Sequence, residues 1–253
     1  MNTTTETARA EPWPAAIPRP AAMELAATEY QRVVALLRRL PEPAWSAPTD
    51  CPAWDVRQMA AHLLGMVEMA ASIREQVRQM RKARRRGGPF LDALTGLQVD
   101  ERREMAPAAI IDRYALRWPK AVAGRRHVPR LARRRPLPIK QVVGGREEPW
   151  TIGFLMDVIL TRDPWMHRID IARAAGVPNP LTAEHDGVLV ADVVAEWATR
   201  HGCPYDLQLS GPAGGSWSSG RGGPRFELDP ADFCRMVSGR QPADGLLATQ
   251  VPF

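Results

Sequence analysis

A carboxylate and an imidazole stand four residues apart at Asp163 and His167, in the stretch RDPWMHRIDIARAAG that spans residues 162–176. A helix projects residues i and i+4 from one face, a single turn apart, so both groups can reach one metal ion. His62 is a second imidazole, set among Met59, Ala60, Leu63 and Val67, whose helical spacing makes it border a buried stripe. Two imidazoles and one carboxylate match the three-ligand pattern of catalytic zinc, with a fourth position open to water or substrate. They match the facial triad of non-haem iron equally well, so spacing leaves the metal undecided. Asp170, three residues after His167, can accept the imidazole's other N–H and fix its tautomer. The plainer reading of the same residues is a boundary histidine and an Asp/His pair on a solvated helix face.

Such side chains need helices to carry them. Leu25, Tyr30, Val33, Val34, Leu37 and Leu40 mark a first amphipathic helix, stopped by Pro41 and Pro43. Asp55 with Gln58 three residues on forms a capping box that opens a second helix, running to about Arg85. A third spans residues 100–122, bent at Pro107 and Pro119, and a fourth runs from near Thr151 to Ala175, kinked at Pro164 and ended by Gly176 and Pro178. The expected class is mainly α: a disordered tail over residues 1–21, a four-helix bundle over 22–178 and a small α+β domain over 179–253. In the last, a helix from Thr182 to His201 precedes strands at YDLQLSG and PRFEL, a helix begun by Asp229 and Pro230, and a final strand at GLLATQV. The glycine-rich GPAGGSWSSGRGG lacks the Lys-Ser/Thr ending of a phosphate loop and reads as a flexible hairpin.

The 253 residues carry 34 Lys and Arg against 28 Asp and Glu, a net charge of +6. The excess sits in basic runs at 78–86 and 125–135, the second within a Pro/Gly-rich exposed connection over 124–149. Without a zinc-finger or RNA-binding signature, these runs read as solvated faces rather than a nucleic-acid interface. Cys51, Cys203 and Cys234 form no CxxC pair and suit a reducing cytoplasm. Cys51 reads as a packed turn residue beside Trp54, and Cys234 as a small apolar one. His127, His185 and His201 read as solvated. A signal peptide and an 18-residue apolar run are both lacking, so neither secretion nor a membrane span is expected.

The stretch TDCPAWDVRQMAAHLL, residues 49–64, taken with RDPWMHRIDIARA and the C-terminal CRMVSGR and GLLATQVPF, closely resembles the mycothiol-dependent maleylpyruvate isomerase family. The resemblance covers most of residues 22–253. It implies a DinB-like bundle holding a divalent metal, usually zinc, through His62, Asp163 and His167. It further implies mycothiol as a thiol cosubstrate activated as a metal-bound thiolate, and isomerisation or thiol transfer on a small electrophile. Arg240 resembles an arginine near which related enzymes place the substrate, where it could hold a carboxylate; solvation of a helix end is the plainer reading of it. Many members of the family carry Glu where this chain has Asp163 followed by Pro164. A non-catalytic metal-binding or regulatory role is the competing function.

Overall fold

A computed structural model describes residues 17–253, so most of the stretch read as a tail lies outside the described residues. The first helix, α1 (Arg19–Leu37), begins within residues assigned to that tail and is followed by a 3-10 turn at 42–46. Next come α2 (Val56–Ala71), α3 (Ile73–Arg86), α4 (Phe90–Asp100), α5 (Pro107–Arg126) and the single turn α6 (Arg130–Arg133). A hairpin of β1 (Gln141–Val143) and β2 (Arg146–Glu148) leads into a continuous helical run. It comprises α7 (Ile152–Phe154), a π-helical turn at 155–159 and α8 (Leu160–Ala175). A second π turn at 183–187 enters α9 (Val188–His201), followed by β3 (Tyr205–Leu209), β4 (Gly215–Ser219), β5 (Arg225–Leu228) and α10 (Pro230–Val237). Among the described residues no helix is long and apolar enough to cross a membrane.

The chain is mainly helical. α1 packs against α5 and α8, and α2 packs against the same two, so the four close a ring around a core of Val33, Leu37, Met59, Leu63, Ile110 and Tyr114. The Asp55 cap forms as the sequence dictates: its carboxylate accepts the Gln58 N–H at 2.7 Å, while the Gln58 side chain accepts the Asp55 N–H at 2.9 Å. In the small sheet, ordered β4-β3-β5, β3 pairs antiparallel with β4 and parallel with β5. Its alternate residues Tyr205, Leu207 and Leu209 point into a second core with Trp197, Phe233 and Val237. α8 serves both cores, since Ile171 and Ala172 face the first, and Trp165, Met166 and Ile169 the second.

Several expectations are corrected. The helix read over 55–85 is two helices, because Ser72 is extended (φ −152°, ψ 119°) and its hydroxyl caps the Glu75 N–H of a new helix. The segment FLDALTGL is helix α4, and the third helix begins at Pro107 rather than at residue 100 and contains Pro119 without ending there. The glycine-rich stretch supplies strand β4. GLLATQV is a 3-10 turn at 245–248 followed by extended chain, not a strand. The basic connection holds the β1–β2 hairpin, and two of its arginines are not solvated: Arg125 is 1% exposed, and Arg133 pairs with the buried Asp157.

Arg125 explains how an irregular helix carries the candidate site. Pro164 has no N–H to give Leu160, and the π turn shifts the local bonding by one residue, with the Leu160 N–H reaching the Leu155 carbonyl. Arg125 bridges this stretch: Nη1 donates at 3.0 Å to the Leu160 carbonyl that Pro164 leaves without its usual donor, Nε to the Met156 carbonyl at 2.7 Å and Nη2 to Thr161 Oγ1 at 2.7 Å. Tyr30 adds its hydroxyl to the Leu160 carbonyl at 3.3 Å. Arg125→Leu, similar in bulk, is expected to lower the unfolding free energy by about 3 kcal/mol, because buried carbonyls left without a donor cost roughly 1–3 kcal/mol each. Urea denaturation measures this, and a loss below about 1 kcal/mol would show that Tyr30 alone satisfies the distortion.

Candidate metal centre

Three donor atoms converge where α2 meets α8. Asp163 Oδ1 lies 3.4 Å from His167 Nε2 and 3.7 Å from His62 Nε2, and the three ligand atoms all fall within 4.8 Å of one another. Two ligands of a tetrahedral zinc ion, each at about 2.0–2.1 Å, stand roughly 3.3 Å apart, so the spacing suits one shared ion. The imidazoles are nearly perpendicular, at 87°, with both deeply buried and the Asp163 side chain 18% exposed. Trp54, from the turn before α2, covers the pair, its ring 4.9 Å from that of His62 and 6.1 Å from that of His167. The hydroxyl of Thr49 holds this turn by donating to the Trp54 carbonyl at 2.8 Å.

Each imidazole has its other nitrogen committed. His167 Nδ1 donates to Asp170 Oδ2 at 3.2 Å, and His62 Nδ1 faces Gln98 Oε1 at 2.8 Å. Both Nε2 atoms therefore face the shared space, where loss of any proton they carry leaves the tautomer a metal requires. Burial would raise the Asp163 carboxyl, but the charge and hydrogen bonding of His167, with His62 adding to them, hold it well below the usual carboxylate range. Burial would likewise lower His167, yet the neighbouring Asp163 carboxylate, helped by Asp170 and Cys51, raises it well above the ordinary imidazole value. Asp170 is fully buried, which would push its carboxyl up; His167 and Arg240 outweigh that and lower it.

The structure thus brings together His62, Asp163, His167 and Asp170, all singled out by spacing. Arg240 joins them indirectly. Its Nε donates to Asp170 at 2.9 Å, so it reaches the imidazole through that carboxylate, and its Nη atoms have no hydrogen-bond partner among the described residues. Gly239, at φ +77°, makes the turn after α10 that delivers it. Cys51 also arrives here: its Sγ, a His167 nitrogen and an Asp170 oxygen lie within 4.8 Å of one another, closer to the chemistry than a packed turn residue was expected to be. Cys234 is fully buried, which pushes its thiol far above the ordinary value and makes it inert. Gln98 was not foreseen, since it falls between the second and third helices expected from the sequence and its helix α4 was not assigned there.

His185 corrects another expectation. It is 4% exposed, and its Nε2 meets Glu29 Oε2 at 2.8 Å. Arg168 binds Glu29 at 2.7 Å and Asp186 at 2.6 Å, while Trp165 donates to Asp186 at 2.9 Å. This buried network ties α1 and α8 to the π turn before α9, on the face of α8 that does not carry His167.

Residues 26–172, well over half of the chain, match the family model described as mycothiol maleylpyruvate isomerase N-terminal domain. The chain belongs to this family. Among its relatives is an uncharacterized protein of Mycobacterium tuberculosis, present in two strains, that is 27% identical over 225 residues, covering 82% of this chain and 80% of the relative. Crystal structures of the mycothiol-dependent maleylpyruvate isomerase and of a variant with one histidine replaced by alanine share the fold. Their TM-scores are 0.57 and 0.56 at 14% identity, over 89% of this chain and 90% of theirs. Membership thus extends through α8 as far as Ala172, and so takes in His62, Asp163, His167 and Asp170.

Proposed function

We propose that this chain is a metal-dependent enzyme that uses a low-molecular-weight thiol, mycothiol, for isomerisation or thiol transfer on a small electrophile of the maleylpyruvate kind. The observation that carries the reading is the convergence of two Nε2 atoms and one carboxylate oxygen, with each Nδ1–H already engaged elsewhere. His62, Asp163 and His167 would hold the ion, and zinc suits a set of two imidazoles and one carboxylate. A divalent ion, when bound, supplies the positive charge that keeps a thiol sulfur deprotonated at neutral pH, where a free thiol is mostly protonated.

The chain's own groups supply the rest. Asp170 holds the His167 ring in its orientation, and Trp54 shields one side of both imidazoles from water. The free Nη atoms of Arg240 suit a carboxylate of the substrate, which two parallel N–H donors grip well. Addition of the thiol sulfur to one carbon of a conjugated cis double bond makes that bond single. Rotation follows, and expulsion of the same sulfur restores the double bond in the trans form and returns the thiol. No cysteine of the chain is required.

Purified protein loaded with zinc is expected to convert maleylpyruvate, or another small conjugated electrophile, only when mycothiol is added. Product is read by absorbance and mass spectrometry. Conversion that proceeds equally without thiol, or metal-free protein as active as the loaded form, would overturn the reading. Stoichiometric zinc with no thiol-dependent turnover of any electrophile tried would favour the non-catalytic role instead.

A further inference from the structure

We propose that Gln98 and Gln79 are positioning residues that fix the tautomer and ring plane of His62. This deepens the reading above, since it takes His62 as a ligand. The two glutamines lie on α4 and α3, elements with no part in the donor set, and both are completely buried. Their direction of hydrogen bonding is set at the far end. Gln79 Nε2 lies 3.2 Å from the Gly65 carbonyl and 2.9 Å from Glu75 Oε1, and both of these only accept. The amide nitrogen of Gln79 is therefore committed to them, and its Oε1 faces Gln98 Nε2 at 2.9 Å. Gln98 must then present its oxygen to His62 Nδ1 at 2.8 Å, and an oxygen there requires Nδ1 to carry the proton. Nε2 is left as the nitrogen that faces Asp163 and the shared space.

The anchor is itself held. Glu75 is bound by Arg78, whose Nε donates to it at 2.7 Å, and Arg78 also grips Glu101 at the end of α4. A line of hydrogen bonds thus runs from a surface ion pair to a nitrogen of the candidate centre. A second, independent feature shows that the chain makes room for it. Gly65 lies mid-helix in α2, one turn beyond His62, where glycine costs up to about 1 kcal/mol relative to alanine. A Cβ there would stand 2.5 Å from Gln98 Cγ and 2.7 Å from its Cβ. Glycine is what lets Gln98 cross α2 at this height.

The test uses full-length protein, with zinc alone as the ligand. Zinc affinity is measured by chelator competition, and the His62 ring by 15N chemical shifts of labelled histidine, assigned by their loss in His62→Asn. Gln98→Leu is expected to weaken zinc binding about 10–100-fold and to abolish the preference for a protonated Nδ1. Gln98→Glu, which as a buried neutral acid accepts the same N–H through its carbonyl oxygen and donates its O–H to Gln79 Oε1, should recover most of the affinity. Gln79→Leu should give a smaller loss in the same direction, and it decides the matter if Gln98→Leu does not fold. Unchanged zinc affinity with an unchanged ring signal, or a Gln98→Glu no better than Gln98→Leu, would overturn the proposal. A wild-type protein that binds no zinc would sink the metal reading, while the ring signal in metal-free protein would still judge the relay.

Discussion

His167→Ala and His62→Ala are each expected to leave a folded protein that has lost most of its bound metal. Losing the partner of a ligand typically costs about 10–100-fold in affinity, and losing the ligand itself should cost at least that upper figure. Folding should survive, because neither residue belongs to the two hydrophobic cores, and the carboxylates left behind keep partners. Asp170 retains Arg240 at 2.9 Å, and Asp163 retains whichever histidine remains. Asp163→Asn tests charge with little change of shape, and should weaken binding by removing the only anion of the three donors. Elemental analysis of dialysed protein, with circular dichroism as the folding control, measures all three. Full metal content in both histidine variants would remove this cluster as the metal centre.

Metal uptake is expected to release close to one proton per site at neutral pH, and apparent affinity to fall about tenfold for each pH unit of acidification. The reason is the raised His167: beside Asp163 it holds its proton well above the ordinary imidazole value of 6.5, yet it must be neutral to bind an ion. The metal-free protein should show the opposite sign. A raised folded-state value means that the stabilisation from the charged His167–Asp163 pair is fully present below pH 6.5 and is lost as pH rises through the folded-state value. The lowered Asp163 carboxyl contributes stability above its ordinary value of 3.8, which is lost only on strong acidification. Metal-free protein should therefore melt at a lower temperature as pH climbs from 6.5, while the gain on adding zinc grows over the same range. Calorimetry with and without zinc checks both slopes. A metal-free melting temperature that rises with pH would show that His167 is not held protonated by Asp163.

The candidate donors were legible because their signal is local: a capping box sets the phase of α2, and a four-residue spacing sets two groups on one face of α8. Gln98 was not, because its role depends on α3 and α4 folding back across α2, and nothing in Ala71-Ser72-Ile73 marks a break by composition alone. Arg125 and His185 defeated local reading for a related reason. Basic residues in polar stretches read as solvated, whereas here their partners lie 36 and 156 residues away at Thr161 and Glu29. The final strand was misread because an apolar run pairs with a sheet only if an edge is within reach. Residues 245–253 instead lie against α10, where the Val251 N–H meets the Val237 carbonyl at 2.8 Å.

Trp54 and Arg240 differ from the donors in where they are mounted. The three donors ride on helices pinned by buried arginine and glutamine contacts, whereas the tryptophan roof comes from the turn at 48–55 and the arginine from the turn at Gly239. Over evolutionary time, mutations in those two turns could reshape what surrounds the three donor atoms without disturbing the atoms themselves. On the function proposed above, lineages descended from one such ancestor would diverge in the molecules they take while the donor set stayed constant, and the record of each specialisation would be written in short turns rather than in the helices.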